Sequence, residues 1–181
     1  MGRASSTATA SAAGRGGAAT AAGVALDETD LRILAELQED GRMTNVELAR
    51  RVGLSAPPCL RRVRRLEEAG VLRGYRAVVD PAALGWEITV FALVGLDTQR
   101  QAALDAFEAE VSSWPEVREC HMIRGGGDFL LRLVARDTAH ENALTARLTG
   151  AERVLRVQTL QTIRTAKEAA GVPVGGGAAG G

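Results

Sequence analysis

Residues 44–66 read TNVELARRVGLSAPPCLRRVRRL, and the spacing predicts two helices joined by a tight turn. Thr44 followed three residues on by Glu47 has the form of a capping box, in which each side chain satisfies an orphan backbone N–H. Val46, Ala49 and Val52 make one apolar stripe at helical spacing. Gly53 stands where a helix end favours a left-handed residue, and Leu54 follows as the apolar plug of the turn. Ser55 is expected to cap the second helix, with Pro57 and Pro58 in its first turn, where a missing N–H costs nothing. Leu60, Val63 and Leu66 repeat the stripe and are expected to face inward, and Gly70 closes the helix. Arg61, Arg62, Arg64 and Arg65 are left on its other sides.

This is the pattern of a helix-turn-helix, whose second helix enters the DNA major groove. A helical hairpin with a hydrated basic face would share the arginines, because charge runs are usually only solvated. Three features favour DNA. The polar face carries one sign of charge near its start, the turn is short and capped on both sides, and small or rigid residues open the second helix.

Upstream, 27–39 reads as a helix capped by Asp27, with Leu31, Ile33, Leu34 and Leu37 inward and Gly41 ending it. Together the three helices supply a core. Downstream, 71–79 alternates around Gly74 and reads as a short hairpin or wing, from which Arg73 and Arg76 reach phosphates. Asp80-Pro81 begins a linker, with Leu84-Gly85-Trp86 at the junction. Beyond it the pattern is strand 88–96, a helix capped by Thr98 with Leu104, Phe107 and Val111 inward, strand 117–123, a glycine turn, strand 129–135, a helix capped by Asp137, and strand 154–163. The order β-α-β-β-α-β is that of a ferredoxin-like split βαβ. The first strand is apolar on both faces, which suits a sheet covered by helices on one side and by another subunit on the other. The fold class is therefore α+β. A tail over 1–25 precedes a winged helix-turn-helix domain over 26–80; a linker over 81–87 leads to a ferredoxin-like domain over 88–168, and a second tail covers 169–181. Both tails are Ala- and Gly-rich, too poor in apolar surface to offset ordering entropy, and are expected to be disordered.

The chain has no net charge at pH 7, yet the charge is segregated. Between Arg50 and Arg76 eight arginines face only Glu67 and Glu68, leaving the remainder acidic. That asymmetry points to a polyanion-binding end and an assembly end. Lys167 is the only lysine, so arginine abundance partly reflects overall composition, and the placement of the arginines says more than their number. Cys59 and Cys120 are far apart and form no CxxC or Cys/His cluster, which argues against a disulfide framework or structural zinc. No run of 18 apolar residues and no signal-peptide h-region occurs. The expected location is cytoplasmic. His121 and His140 fall on separate elements with no nucleophile pattern nearby, so no catalytic set, metal site or cofactor is expected.

Residues 26–168 resemble the Lrp/AsnC, or feast/famine, family of transcription regulators. The resemblance is carried by Leu26-Asp27 through Asp40-Gly41-Arg42, NVELARRVGLS at 45–55, Cys59-Leu60, Arg62 through Glu67, Gly70, Gly74-Tyr75, Glu119-Cys120-His121, Gly125 with Asp128, and VQTLQTIRTAK at 157–167. It implies that the second domain binds a ligand and oligomerises, with homodimers assembling to tetramers or octamers. Two departures stand at the recognition helix. Ala56 and Pro57 replace the usual Pro-Thr, and Arg61 stands where an acidic or polar residue is frequent, so the operator does not carry over from relatives.

For DNA, the face from Ser55 to Arg65 is expected to enter the groove. Ser55 and the free N–H groups at the helix start, beside Ala56 and Pro57, are placed to hold a phosphate, and Arg61 and Arg62 to reach base edges. Asn45, Arg50, Arg51, Arg64, Arg65 and Arg73 are cast as backbone contacts, with Arg64 or Arg65 alternatively pairing with Glu67 and Glu68. For the ligand, the Gly-x-x-Asp motif of the family is matched by Gly125 and Asp128, followed by Phe129. Glycines such as Gly125 and Gly127 let backbone amides approach a carboxylate, and Asp128 pairs with an α-ammonium. An amino acid is thus the expected effector, with His121, Met122 and Ile123 lining the same pocket. A bare glycine hairpin joining two strands is the plainer reading of that loop. Two other functions compete with the whole scheme: an enzyme subunit like the sirohaem decarboxylases, which are similar in both domains, and a DNA-architectural protein with no effector.

Overall fold

The computed structural model describes residues 20–21, 24–169 and 171–174. The chain divides into two compact units, one made of residues up to Ala77 together with those from Ala169, the other of Val78–Glu168.

In the first unit a two-residue antiparallel pair, β1 (Thr20–Ala21) and β2 (Val24–Ala25), precedes α1 (Glu28–Glu39), α2 (Asn45–Val52) and α3 (Ala56–Glu68). Helix starts and stops follow local chemistry. The complete capping box lies at α1, where Asp27 Oδ1 accepts from Asp30 N at 2.8 Å and Asp30 Oδ2 accepts from Asp27 N at 3.1 Å. At α2, Thr44 Oγ1 accepts from Glu47 N at 3.2 Å, but the Glu47 carboxylate turns to arginines instead of closing the box. Gly53 ends α2 at φ 74°, a left-handed backbone that a side chain would strain. Ser55 occupies the N-cap of α3 without a side-chain cap bond.

The core of this unit is Leu26, Ile33, Leu37, Leu48, Ala49, Val52, Cys59, Val63 and Leu66. Two expected core residues lie outside it. Val46 is 70% exposed and Leu60 37% exposed; Ala49, Val52, Val63 and Leu66 are buried as expected, and Leu48 and Cys59 complete the two stripes in place of the first pair. The 71–79 segment contains no strand pairing. Tyr75 lies over Gly41 there, its hydroxyl donating to Glu67 Oε1 at 3.3 Å. The tails expected over 1–25 and 169–181 fall largely outside the described residues, but two parts are ordered. These are the β1–β2 pair and Val172, whose N–H donates to Gln38 Oε1 at 2.7 Å.

In the second unit a single 3-10 turn, Ala82–Leu84, leads into β3 (Ile88–Leu96), α4 (Gln101–Ser112), β4 (Val117–Met122), β5 (Phe129–Ala135), α5 (Thr138–Thr149) and β6 (Val154–Gln161). Strand order is β4-β5-β3-β6 with every neighbour antiparallel, the arrangement of a ferredoxin-like βαββαβ. Asp137 caps α5 by accepting from His140 N at 2.7 Å. Thr98 does not cap α4; the N-cap is Arg100, whose N–H reaches Thr98 Oγ1 at 3.4 Å. Val90, Ala92, Val94 and Leu96 of β3 and Phe129, Leu131 and Leu133 of β5 are buried, and most of them join Leu104, Phe107, Val111 and Leu148 of the helices in one core. On the other sheet face Phe91 stands beside Leu160 and Arg132, and Leu93 beside Leu130 and Gln158. Among the described residues no helix covers that face, and Leu160 is exposed.

Candidate nucleic-acid interface and effector loop

The arginines of α3 do not share one role. Asp30, on the buried stripe of α1 with Ile33 and Leu37, is 0% exposed. Its Oδ1 accepts from Arg62 Nη1 at 2.8 Å and its Oδ2 from Arg65 Nη2. Arg62 Nη1 also donates to Asp27 Oδ2 at 2.7 Å. A carboxylate removed from water is costly unless paired and hydrogen-bonded, and here both oxygens are held by guanidinium groups. Arg62, expected at base edges, is therefore a clamp between α3 and α1. Arg65 shares that clamp and does not pair with Glu67 or Glu68. The Asp27 carboxyl sits below its usual range because it accepts the Asp30 N–H, with the hydrogen bond from Arg62 second. The sequence carries a signal for this. Asp30 falls at an inward position of an otherwise apolar stripe, and Arg62 and Arg65 lie one turn apart on the facing helix.

Arg50 and Arg51 are also engaged. Arg50 Nη2 lies 2.7 Å from Glu47 Oε1, and Arg51 bonds Glu47 at 2.8 Å and Glu36 at 2.9 Å. Hydrogen bonds from Arg50 and then Arg51 pull the Glu47 carboxyl down to about 2. Asn45, expected at DNA, spans the turn: its Nδ2 donates to the Ala56 carbonyl at 2.8 Å and ties the start of α2 to the start of α3. The expected row of free N–H groups at the α3 start is reduced, because Pro57 and Pro58 have none and Cys59 N already donates to Ser55 O at 3.3 Å. Ala56 N–H and the Ser55 hydroxyl remain. Among the described residues, Arg61, Arg64 and Arg73 form no ion pair and stay exposed. Arg61 borders an open cavity of about 330 Å³ with Asp27, Pro58, Arg62 and Arg65.

The glycine loop between β4 and β5 folds across the end of β3. Asp128 N donates to Val94 O at 2.8 Å, and its Oδ2 accepts from Leu96 N at 2.7 Å. Oδ1 accepts from Gln99 Nε2 at 3.1 Å. Gly127 is a close approach: a Cβ there would lie 2.9 Å from the Val94 carbonyl and 3.0 Å from Leu93. Gly125 takes φ 131°, open to glycine. Arg156 donates to the Gly126 carbonyl. Phe129 is not part of an exposed site. It is fully buried and tilts against Phe107 at a centroid distance of 4.9 Å. His121 and Met122 are exposed, the former with Nε2 3.3 Å from Glu119 Oε2. Glu119 also accepts from Arg132 Nε at 2.8 Å. Burial would raise its carboxyl, but the bonds from His121 and Arg132 outweigh that and lower it.

A basic helix-turn-helix joined to a ferredoxin-like domain with a braced glycine loop defines a two-domain transcription regulator. Residues 26–73 match a winged helix-turn-helix DNA-binding family and residues 89–172 the Lrp/AsnC ligand binding domain. The chain belongs to the Lrp/AsnC family and is a DNA-binding transcriptional regulator with a ligand-binding domain. It is similar to the leucine-responsive regulatory protein of Rhizobium meliloti, 54% identical over 152 residues, covering 83% of this chain and 97% of that one. The proline dehydrogenase transcriptional activator of Rhizobium radiobacter is 40% identical over 144 residues, covering 79% and 92%. Among solved structures, a transcriptional regulator from Neisseria meningitidis in complex with L-Met superposes with a TM-score of 0.78 at 36% identity, covering 82% of this chain and 96% of that one.

Proposed function

We propose that this regulator binds operator DNA through the solvent side of α3, and that an amino acid held at the 123–128 loop sets its DNA affinity or assembly. What carries the DNA half is the division of labour on α3. Arg62 and Arg65 are spent on Asp30, which leaves Arg61 and Arg64 free on the side away from the core. Arg61 reads bases, while Arg64, Arg73, Ser55 and the Ala56 N–H take phosphates. Pro57 lets the duplex approach. Arg50 and Arg51 reach phosphates only by releasing Glu47.

The effector half is supported by the Neisseria regulator solved with L-Met and by the loop itself. Gly125 and Gly127 keep backbone close to a ligand carboxylate. Asp128 has accepted two hydrogen bonds and retains lone pairs for an α-ammonium. His121 and Met122 border the loop, and Phe129 supports it from the core side. The open sheet face joins homodimers, which assemble further to tetramers or octamers. The protein is cytoplasmic and performs no catalysis of its own.

A thermal-shift screen of the amino acids tests the effector. One of them should raise the melting temperature, by the equivalent of about 2.7 kcal/mol at a hundredfold excess over Kd, and Asp128→Ala should abolish the shift. If no amino acid stabilises the protein while DNA binding persists, the effector half fails and an effector-free architectural role replaces it.

A further inference from the structure

We infer that Leu60 is a specificity-determining residue: an apolar side chain on the groove side of α3 that receives the 5-methyl group of a thymine. The inference rests on the DNA-binding reading above and adds to it the chemistry of one base position.

The direction of α3 is set by what it buries. Cys59, Val63 and Leu66 point inward, and Arg62 is drawn toward Asp30. At about 100° per residue, the outward face is then centred on Pro57, Arg61 and Arg64. Leu60 lies within about 60° of Pro57 and 40° of Arg64. Of the leucines in α1–α3 it is the exposed one, at 37%. A leucine at the edge of a cationic face leaves more than a third of its surface in water and forgoes that part of its burial free energy. In a major groove that side chain has one apolar partner, because thymine alone presents a methyl group among the base edges. The flanking arginines supply the rest of the match. Arg61 and Arg64, with no ion pair among the described residues, both lie on the outward side of Leu60 and are free for guanine or phosphate oxygens. The apolar group thus sits between the core-facing stripe and two cations that hold the helix against the duplex.

The test begins with sites selected by the full-length protein from a random duplex library. Each thymine of the selected site is replaced singly by deoxyuridine, which removes only the methyl group. Fluorescence anisotropy titrations then compare wild type with Leu60→Ala. One thymine in each half-site should weaken wild-type binding about four-fold on replacement, the loss of one buried carbon. Leu60→Ala should be indifferent to that same replacement and stay folded, with the wild-type far-UV circular dichroism. Leu60→Gln should select adenine at that position, because glutamine bonds the adenine edge in the major groove. The inference is overturned if wild type tolerates every deoxyuridine, if Leu60→Ala keeps the full penalty, or if Leu60→Ala unfolds, which would make Leu60 a core residue. Absence of any salt-dependent duplex binding by wild type would instead remove the DNA-binding reading beneath it.

Discussion

Asp30 decides which arginines of α3 are available. It is a carboxylate without solvent contact, held by two guanidinium groups from the facing helix. Asp30→Ala removes the hydrogen bonds of both guanidinium groups, which can turn to water because Arg62 and Arg65 are partly exposed, so it should cost about 1–3 kcal/mol, read as a lowered urea midpoint. Arg62→Ala should cost about 1–2 kcal/mol in the same measurement. Arg61→Ala should leave the midpoint unchanged and weaken operator binding by about ten-fold or more, given about 1–3 kcal/mol for an arginine on a base. The opposite ranking, with Arg62→Ala stable and Arg61→Ala neutral for DNA, would overturn the division of labour. Acid should act at this end of the molecule too. Asp27 is held below its ordinary value and Glu47 down to about 2. Their charged forms therefore favour the fold above the usual carboxylate range, and that contribution is lost as pH falls through the depressed values. Urea midpoints should stay flat from about pH 7 to 5 and fall below about pH 4.

At the level of elements, local chemistry made much of the layout readable. Strand 88–96, strand 129–135 and the helix capped by Asp137 coincide with β3, β5 and α5, because alternation, glycine punctuation and caps are short-range signals. Two positions of each stripe were legible, Ala49 and Val52 on α2 and Val63 and Leu66 on α3; the third was not. Val46 and Leu60 satisfied helical spacing as well as Leu48 and Cys59 do, and only the packing of three helices around one core chose between them. The wing region shows the same limit, since alternation around Gly74 says nothing about whether a partner strand is present. Glycine punctuation puts the 125–128 loop between two strands, as β4 and β5 have it, while its bracing against β3 depends on sheet order. Gly127→Ala forces a Cβ against Val94 and Leu93. It should destabilise the second unit by about 1–3 kcal/mol, measured by calorimetry, and should leave the melting of the helical unit unchanged.

For the whole molecule, zero net charge conceals a basic recognition end and an open apolar sheet face. Binding to duplex should weaken steeply as salt rises, through released counterions; a flat salt titration would contradict groove binding by Arg61, Arg64 and Arg73. The sheet face carries Phe91 next to Leu160, exposed on the side the helices leave bare. If the proposed homodimer forms through this face, Leu160→Arg should lower the mass seen in sedimentation and leave the far-UV circular dichroism intact, because exposed apolar area of this kind is buried between subunits in an assembly. An unchanged mass would mean that copies meet elsewhere.

The order of the three helices and of the βαββαβ unit, the caps at Asp27, Thr44 and Asp137, the cationic helix and the family itself were determined by residue pattern alone, since each depends on neighbours within a few positions along the chain. Tertiary structure alone decided that Arg62 clamps while Arg61 is free, that Leu60 faces out, and that Asp128 braces the end of β3. Those outcomes depend on Asp30, Cys59 and Leu96, which only folding brings close: a period specifies the angle between side chains on one helix, not the direction in which that helix meets the rest of the protein.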